Sequence, residues 1–411
     1  MAPHRRALLL MGAYGFACGL PLPLSGFTLR QWMAEGHVSL VAIGLTANIG
    51  LPYSLKFLWA PLLDQAPPGL ARLGVRRGWL LLIQPLLALA CAALALGSPA
   101  TPGRLALAAA AVAFLSASQD IAVDAWRIEF FPERMQGIAL AAYVWGYRAA
   151  LLVAGAGTIG LAGVLGWHRA LLLVALLVLV AGAGTTALAG EPVARARGAA
   201  LGLAARLRAA VVEPFQEFIR RPGAPWVLAF VMLFKLGEAL AGTMAPPFYR
   251  AMGFDRAQVA LATGVPGLCA SLAAAALGGW LVARIGTGRA LVLTGFVQMA
   301  SQGLYFALAA SGGDGRVLVA KVVLENVAEG MADVAFISYL SGLCASRFTA
   351  TQYALLSSLA AVGLRTLGGL SGWLAQALGW EAFYGLTIFA ALPAMLIMVR
   401  LLRRGRLATG M

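Results

Sequence analysis

Residues 316–342 have the sequence RVLVAKVVLENVAEGMADVAFISYLSG, an apolar segment long enough to cross a membrane that nevertheless contains charged side chains in its interior. Lys321, Glu325, Glu329 and Asp333 follow one another at intervals of four residues, so on an α-helix they form one slowly drifting stripe. A charge at the bilayer centre costs at least about 2.5–3.5 kcal/mol on insertion scales, and such residues usually serve a function. The segment therefore predicts a transmembrane helix with a polar face turned away from lipid.

The whole chain has the composition of a polytopic membrane protein. Of its 411 residues, 61% are apolar and only 11% are charged, whereas soluble domains have about 45–50% apolar and about 25% charged residues. The formal net charge of +15 would suggest a nucleic-acid partner for a soluble protein; here we expect a lipid bilayer and no nucleic acid. Twelve apolar segments are predicted to be transmembrane helices, at residues 7–29, 39–63, 78–98, 104–128, 138–162, 169–189, 225–248, 258–283, 290–310, 316–342, 351–375 and 381–400.

The distribution of Lys and Arg predicts the orientation of these helices. With both termini in the cytoplasm, the cytoplasmic segments carry 19 Lys and Arg residues and the opposite side carries six. Cytoplasmic loops of membrane proteins are enriched in these residues. We therefore predict that both termini are cytoplasmic.

The two halves of the chain resemble each other, at offsets of 209 to 218 residues. Five short motifs of the first half recur in the same order in the second half. This recurrence predicts a duplicated six-helix unit, with one bundle at residues 1–190 and the other at 225–411. The linker, 191–224, contains apolar residues at helical spacing and is predicted to form an amphipathic surface helix; a plain solvated linker is the alternative. The matching pairs are Phe16-x-x-Gly19 with Phe234-x-x-Gly237, Gly50-x-Pro52 with Gly264-x-Pro266, Asp120 and Asp124 with Glu329 and Asp333, Gly146-Tyr147-Arg148 with Gly363-Leu364-Arg365, and Leu165-Gly166-Trp167 with Leu378-Gly379-Trp380.

Charged residues inside the predicted spans occur only on helices 2, 4, 5, 7, 10 and 11, whereas helices 3, 6, 9 and 12 carry none in their interiors. In a duplicated 6+6 transporter the third helix of each triplet is peripheral, so this distribution predicts a polar central cavity. The alternative is that opposite charges neutralise each other and hold the bundles together. The residues are Lys56, Arg127, Arg148, Lys235, Lys321 and Arg365, with Asp120, Asp124, Glu238, Glu325, Glu329 and Asp333.

Helix 1 contains the sequence GLPLPLSG at residues 19–26, in which two prolines and two glycines weaken the helix. We predict a break there, where a freed backbone carbonyl could meet a substrate. A kink that serves packing alone is the alternative.

Other functional classes fit the sequence less well. An enzyme is not expected, because the three histidines (His4, His37, His168) lie near span ends and no H-E-x-x-H motif occurs. A self-powered pump is excluded, because no lysine stands in a Gly-Lys-Ser/Thr phosphate-binding loop. No cofactor or metal is expected. A non-transporting membrane protein with a signalling or structural role stays open.

Several long stretches resemble the AmpG-type muropeptide permeases, a branch of the major facilitator superfamily. The resemblance implies an all-α fold of two pseudo-symmetric six-helix bundles in the bacterial inner membrane. It also implies proton-driven import of GlcNAc-1,6-anhydro-MurNAc peptides for peptidoglycan recycling and, in some species, β-lactamase induction. Related branches carry siderophores or acetyl-coenzyme A. The stretches are GLPLPLSGFTLRQWM (19–33), IGL…GLPYSLKFLWAPLLD (43–64), RRGWLL (76–81), SASQDIAVDAWR (116–127), GYR (146–148), KLGEALA (235–241), LEN (324–326) and FTATQYALLSSLAAVG (348–363).

A muropeptide brings sugars, amides and peptide carboxylates, so its site needs cations, polar partners and flat aromatic surfaces. Glu329 and Asp333 depart from the family pattern, because the resemblance leads us to expect small or neutral residues at these two positions. Asp120 and Asp124 are like charges one turn apart and form the favoured proton site, with Glu325 second, because repulsion and burial favour a proton on one of them. We expect a monomer that binds muropeptide and protons. The predicted substrate-binding residues are Gly19, Lys56, Gln119, Tyr147, Arg148, Lys235, Asn326 and Arg365, and the predicted proton-coupling residues are Asp120, Asp124, Glu238 and Glu325.

Overall fold

The protein is all-helical in the residues that the computed structural model describes, which are 2–60, 63, 74–131, 136–192, 216, 218–221, 223–343 and 349–403. The first six spans are helix 1 (Ala2–Gly19, Pro21–Leu24, Phe27–Glu35), helix 2 (Leu40–Leu45, Thr46–Gly50, Leu51–Leu55, Lys56–Leu58), helix 3 (Val75–Ala95), helix 4 (Pro102–Phe130), helix 5 (Gln136–Leu152, Val153–Gly157, Thr158–Leu165) and helix 6 (Trp167–Leu188).

The second six spans follow in the same manner. They are helix 7 (Ala224–Leu233, Leu236–Ala251), helix 8 (Arg256–Thr263, Val265–Ile285), helix 9 (Thr287–Ser301, Leu304–Ala310), helix 10 (Gly315–Gly342) and helix 11 (Thr349–Gly368), which is followed by Ser371–Ala390 and Leu392–Arg403. The element Ser371–Ala390 breaks at Gly379, so its first part extends helix 11 and its second part begins helix 12.

Nine of the described spans are long and apolar enough to cross a membrane, and Leu40–Leu55 is apolar but shorter. Helix 10 has 28 residues and is also long enough to cross a membrane, but its charged stripe lowers its hydropathy. The predicted boundaries agree with the structure to within a few residues at most ends. The chief difference is helix 2, where the sequence predicts one continuous span and the structure has four short α- and 3₁₀-segments.

Single glycines with positive φ make the tight turns between spans and repeat between the halves. Gly166 precedes helix 6 with φ 79° and ψ 160°, and Gly379 precedes helix 12 with φ 74° and ψ 167°. Gly74 before helix 3 and Gly286 before helix 9 form a second such pair, with φ 95° and 80°. This backbone conformation favours glycine, which has no Cβ. The matching turns are consistent with the predicted duplication of a six-helix unit, which stays a prediction.

Contacts divide the chain into two compact units, Met1–Val38 with Leu55–Gly202, and Ser39–Ser54 with Leu203–Met411. In the first unit, Tyr14, Trp126 and Phe131 form part of the buried core. In the second unit, Phe230, Phe234 and Phe336 have this role. Assignment of residues 1–190 and 225–411 to separate bundles stays a prediction, and Ser39–Ser54 of helix 2 belong to the second unit.

Helices 1 and 5 pack backbone to backbone in the first unit because helix 1 presents glycines to helix 5. A Cβ on Gly15 would lie 2.0 Å from the carbonyl oxygen of Tyr143, and a Cβ on Gly146 would lie 1.9 Å from the carbonyl oxygen of Gly12. Small residues at such spacing permit the close approach of membrane helices. This contact positions the face of helix 5 that carries Tyr147 and Arg148.

The break predicted in helix 1 is present. The helix ends at Leu24 and resumes at Phe27, with Gly26 at φ −129° and ψ −115°. The Ser25 hydroxyl donates to the carbonyl oxygen of Leu22 at 3.2 Å, which satisfies one backbone group at the break. The predicted surface helix of the linker lies outside the described residues, apart from a few positions such as Phe218, which packs in the core of the second unit.

Candidate functional site

Helices 2 and 4 of the first unit meet in a chain of ion pairs around Asp124. Lys56, in the 3₁₀ turn Lys56–Leu58, has its Nζ 3.8 Å from Asp124 Oδ2. Arg127, one turn later on helix 4, lies 3.6 Å from Asp124 Oδ1. The structure thus brings together two predicted site residues, Lys56 and Asp124, and gives Asp124 two cationic neighbours.

Asp120 lies one turn before Asp124 and makes none of these direct ion pairs. It interacts electrostatically with Lys56 and Asp124 and contacts the Cys18 thiol of helix 1. Within the described residues, no hydrogen-bond partner is recorded for its Oδ1. A buried polar atom without a partner costs free energy, and a proton on a carboxylate reduces the charge that must be buried. The position of Asp120 therefore suits a residue that gains and loses a proton.

Gln119 immediately precedes Asp120 on helix 4. It is fully buried and donates its Nε2 to Cys18 Sγ at 3.3 Å. Cys18 therefore touches both Gln119 and Asp120. The proximity of Cys18 to Gln119 and Asp120 depends on how helices 1 and 4 pack, so it was not predicted from the sequence.

Gly19 and Tyr147 face each other across the contact between helices 1 and 5. A Cβ on Gly19 would lie 2.7 Å from the carbonyl oxygen of Tyr147 and 2.8 Å from Cβ of Ala150. The absence of a side chain at Gly19 is therefore accounted for by helix packing. The Tyr147 ring lies 5.9 Å from the ring of Tyr143, centroid to centroid. Their roles in substrate binding stay predictions.

Arg148, the next residue on helix 5, is half-buried. In the described part of the chain, no hydrogen bond or ion pair is recorded for its guanidinium. A guanidinium offers five donors in a planar arrangement that matches a carboxylate. Arg148 is thus a cation of the first unit that is available to an incoming anion.

Helix 7 of the second unit is interrupted at Phe234 and Lys235, and its second part begins at Leu236. Glu238 stands in the first turn of this second part, where the positive end of the helix dipole favours a carboxylate. Lys235 Nζ lies 2.6 Å from Glu238 Oε2 and also forms an ion pair with Asp333 of helix 10. The break in helix 7 therefore places Lys235 between two carboxylates.

Gln298 of helix 9 completes this group by donating its Nε2 to Glu238 Oε2 at 2.6 Å. Gln298 was not predicted as a site residue, because helix 9 has no charged residue in its interior. The signal in the sequence that could have identified Gln298 is its side-chain amide within an otherwise apolar span. Gln84 of helix 3 precedes Gln298 by 214 residues, within the range of repeat offsets, and it accepts a hydrogen bond from Thr186 at 2.9 Å.

Lys321 and Glu325 form a second, deeper ion pair on helix 10. The side chain of Lys321 is 1% exposed, and its ammonium group is bonded to Glu325 Oε2 and to the Tyr249 hydroxyl, the latter at 3.0 Å. The ammonium nitrogen also lies 3.6 Å from the centroid of the Tyr305 ring. A buried ammonium group requires such compensation, and the aromatic face adds a cation–π attraction. This group was predicted only in part, from the spacing of Lys321 and Glu325.

Asn326 and Arg365 have neighbours of their own in the second unit. The amide of Asn326 donates to the carbonyl oxygen of Val322 at 2.8 Å and accepts from the Ser271 hydroxyl of helix 8 at 3.1 Å. Asn326 thus contributes to the contact between helices 8 and 10.

Arg365 of helix 11 packs against helix 2. Its Nε donates to Ser54 Oγ at 3.3 Å, and its guanidinium carbon lies 5.9 Å from the centroid of the Tyr53 ring. A Cβ on Gly50 would lie 1.5 Å from Arg365 Nη1, so the guanidinium occupies space that only glycine leaves open. Binding of substrate by Asn326 or Arg365 stays a prediction.

Comparison with known proteins agrees with this architecture. Residues 7–364 match the Major Facilitator Superfamily. The anhydromuropeptide permease of Escherichia coli (strain K12) is 39% identical over 398 residues, which are 96% of this chain and 79% of that protein. The putative transporter AmpG 4 of Rickettsia conorii is 33% identical, over 94% of each chain.

Solved structures show the same fold at low sequence identity. The nucleoside transporter NupG has a TM-score of 0.68 and 13% identity, over 96% of this chain and 98% of that one. A bacterial homologue of the human lysosomal transporter Spinster has a TM-score of 0.64 and 14% identity, over 98% of this chain and 94% of that one. The chain is therefore a multi-pass membrane transporter that belongs to the Major Facilitator Superfamily, in the branch that contains the anhydromuropeptide permease.

Proposed function

We propose that this transporter imports anhydromuropeptides, GlcNAc-1,6-anhydro-MurNAc and its peptides, from the periplasm to the cytoplasm, and that protons drive the uptake. Similarity to the Escherichia coli permease along nearly the whole chain is the observation that carries this proposal. We further propose that the protein acts as a monomer in the bacterial inner membrane with both termini in the cytoplasm.

The charged groups of the first unit support the choice of cargo. The peptide part of a muropeptide ends in carboxylates, which are best bound by a cation with no competing partner. Arg148 has no recorded ion pair in the described residues, whereas Lys56 is only loosely paired, at 3.8 Å from Asp124. We assign Arg148 to a carboxylate of the peptide and Lys56 to an auxiliary role beside it.

The same unit supports proton coupling. A proton-driven carrier needs a carboxylic acid that is neutral in one part of the cycle and ionised in another. Asp120 is in contact with Cys18 and within electrostatic range of Lys56 and Asp124, and its Oδ1 has no hydrogen-bond partner among the residues that the structure describes. Asp124 has two cationic neighbours. We therefore propose Asp120 as the proton site of this pair, with Asp124 holding Lys56 and Arg127 nearby.

Uptake into proteoliposomes tests the proposal. Anhydromuropeptide should accumulate when an inward proton gradient is imposed and should not accumulate without it, whereas acetyl-coenzyme A and a ferric siderophore should not be taken up. Asp120→Asn should remove uphill uptake and leave exchange of cargo between preloaded vesicles and the medium, because exchange needs no net proton movement. Uptake of one of the other two cargoes instead would refute the assignment of substrate.

A further inference from the structure

The charged cluster of the second unit holds more carboxylates than cations among its described residues. Two lysines face four acids, and all six lie within membrane spans on helices 7 and 10. Buried charge of one sign that is not compensated is costly in a membrane. The six are Lys235, Glu238, Lys321, Glu325, Glu329 and Asp333.

Three of the four acids are engaged by a lysine. Glu238 and Asp333 pair with Lys235, and Glu325 pairs with Lys321. Glu329 is the fourth, and no hydrogen bond or direct ion pair is recorded for it in the described part of the chain.

Glu329 lies between the two ion-paired groups. It is one helical turn from Glu325 on one side and one turn from Asp333 on the other, and its side chain is mostly buried. It interacts electrostatically with both lysines and with Glu238 and Glu325. A change of charge at Glu329 therefore affects both lysine pairs at once.

Two further groups that interact with Glu329 are phenols on helices 7 and 9. Helix 7 adds the hydroxyl of Tyr249 and helix 9 that of Tyr305, each of which interacts electrostatically with Glu329. Helix 8 packs along helix 10 with the neutral Ser271, which is hydrogen-bonded to Asn326. Besides the two lysines, the titratable groups that interact with Glu329 in the described structure are thus acids and phenols.

We propose that Glu329 is the residue of the second unit that binds and releases a coupled proton. A proton on Glu329 lowers the uncompensated charge and leaves every lysine–carboxylate pair intact. A proton on Glu238, Glu325 or Asp333 would instead take a carboxylate away from a lysine. Loss of the proton from Glu329 gives Lys235 and Lys321 an additional anionic neighbour, so the pairs can rearrange in step with the protonation of this one group.

This inference rests on the proposed proton-driven uptake and is tested in the same proteoliposomes with the full chain. Glu329→Gln keeps the size of the side chain and removes the titration. Its uptake under an inward proton gradient should stop at the external concentration, while exchange of anhydromuropeptide across preloaded vesicles continues. Glu381→Gln, the same change at an exposed position of helix 12, is the matched control and should accumulate cargo like the parent protein.

A second measurement detects the proton itself. The purified protein in weakly buffered detergent, with a pH-sensitive dye, should change its bound protons when anhydromuropeptide binds, and Glu329→Gln should lose a part of this change. Glu329→Asp retains a titrating group, so it should keep uphill uptake with an altered pH profile. This variant also keeps the test informative if the glutamine variant folds poorly.

The outcomes separate this inference from the proposed function. Uphill uptake by Glu329→Gln, with an unchanged proton count, would overturn the role of Glu329 and leave proton-driven import intact. Loss of exchange in both folded Glu329 variants would also overturn it, because it would indicate a role in structure or cargo binding. Absence of any gradient dependence in the parent protein would refute proton-driven uptake itself and the present inference with it.

Discussion

At the residue scale, two cations that look alike in the sequence have different surroundings in the structure. Arg148 and Lys235 both lie within spans and in family-matching stretches. Lys235 is held by Glu238 and Asp333, whereas no ion pair is recorded for Arg148 in the described residues. Removal of Lys235 would leave two carboxylates without their cation, a structural loss. Arg148 is therefore the more informative residue for cargo recognition.

We expect Arg148→Ala to weaken binding of an anhydromuropeptide that carries its peptide by about 2–5 kcal/mol, because truncating one partner of a desolvated charge pair leaves the other unpaired. Binding of the peptide-free disaccharide should change much less. Isothermal titration with the purified protein measures both affinities.

Arg169→Ala is the matched control for this prediction. Arg169 is an exposed arginine near the start of helix 6, so both affinities should stay at the parent values. An equal loss for the peptide and the disaccharide in Arg148→Ala would contradict the assignment and indicate that Arg148 supports the structure.

At the scale of the helical elements, glycines determine which helices can touch. Gly15 and Gly146 allow backbone contact between helices 1 and 5, and Gly50 leaves room for the Arg365 guanidinium between helices 2 and 11. Helix 5 also contains a π-helical segment, Val153–Gly157, in which the carbonyl oxygen of Ala154 accepts a hydrogen bond from Thr28 of helix 1 at 3.0 Å. The Thr28 hydroxyl thus gives a backbone carbonyl of helix 5 a hydrogen-bond partner, which lipid could not supply.

Gly15→Ala should destabilise the protein by about 1–3 kcal/mol, because the added methyl group is forced against the backbone of Tyr143 and overpacks the contact. The measurement is the thermal unfolding midpoint of the purified protein in detergent. Gly163→Ala, on helix 5 with no atom within 4 Å of the new Cβ, should leave the midpoint unchanged or raise it slightly. Equal midpoints for the two variants would contradict this prediction, because they would show that helices 1 and 5 accommodate the methyl group with no loss of stability.

At the scale of the whole molecule, the orientation in the membrane follows from loop charge. Arg289 and Asp314 stand near opposite ends of helix 9, and both are exposed. We expect single cysteines at these positions, in a background without the native cysteines, to react from opposite sides, with Arg289→Cys labelled from the cytoplasm. The measurement is labelling of intact cells with a membrane-impermeant maleimide, before and after permeabilisation. Reaction of both cysteines from the same side would contradict the predicted topology.

Several features follow from the amino-acid sequence alone. The approximate positions of the spans are a local property, because hydropathy acts within a short stretch of chain. The break in helix 1 could be predicted for the same reason, since proline and glycine weaken a helix where they stand. The pairs Lys321–Glu325 and Lys235–Glu238 could also be predicted from the sequence, since residues three or four apart share a helix face.

Only the tertiary structure decided which residues of different helices meet. These contacts depend on how each helix is rotated about its axis and where it is broken. Examples are the ion pair of Asp333 with Lys235, the hydrogen bond of Gln298 to Glu238, and the packing of Arg365 against Gly50. That rotation is set by the shape of the packed surfaces, and in a membrane by small residues and interhelical hydrogen bonds, not by hydrophobicity, because lipid is as apolar as the side chains. For this reason the charged helices could be identified from the sequence. Only the packing determined that Glu329 lies between two lysines that are already paired with other carboxylates.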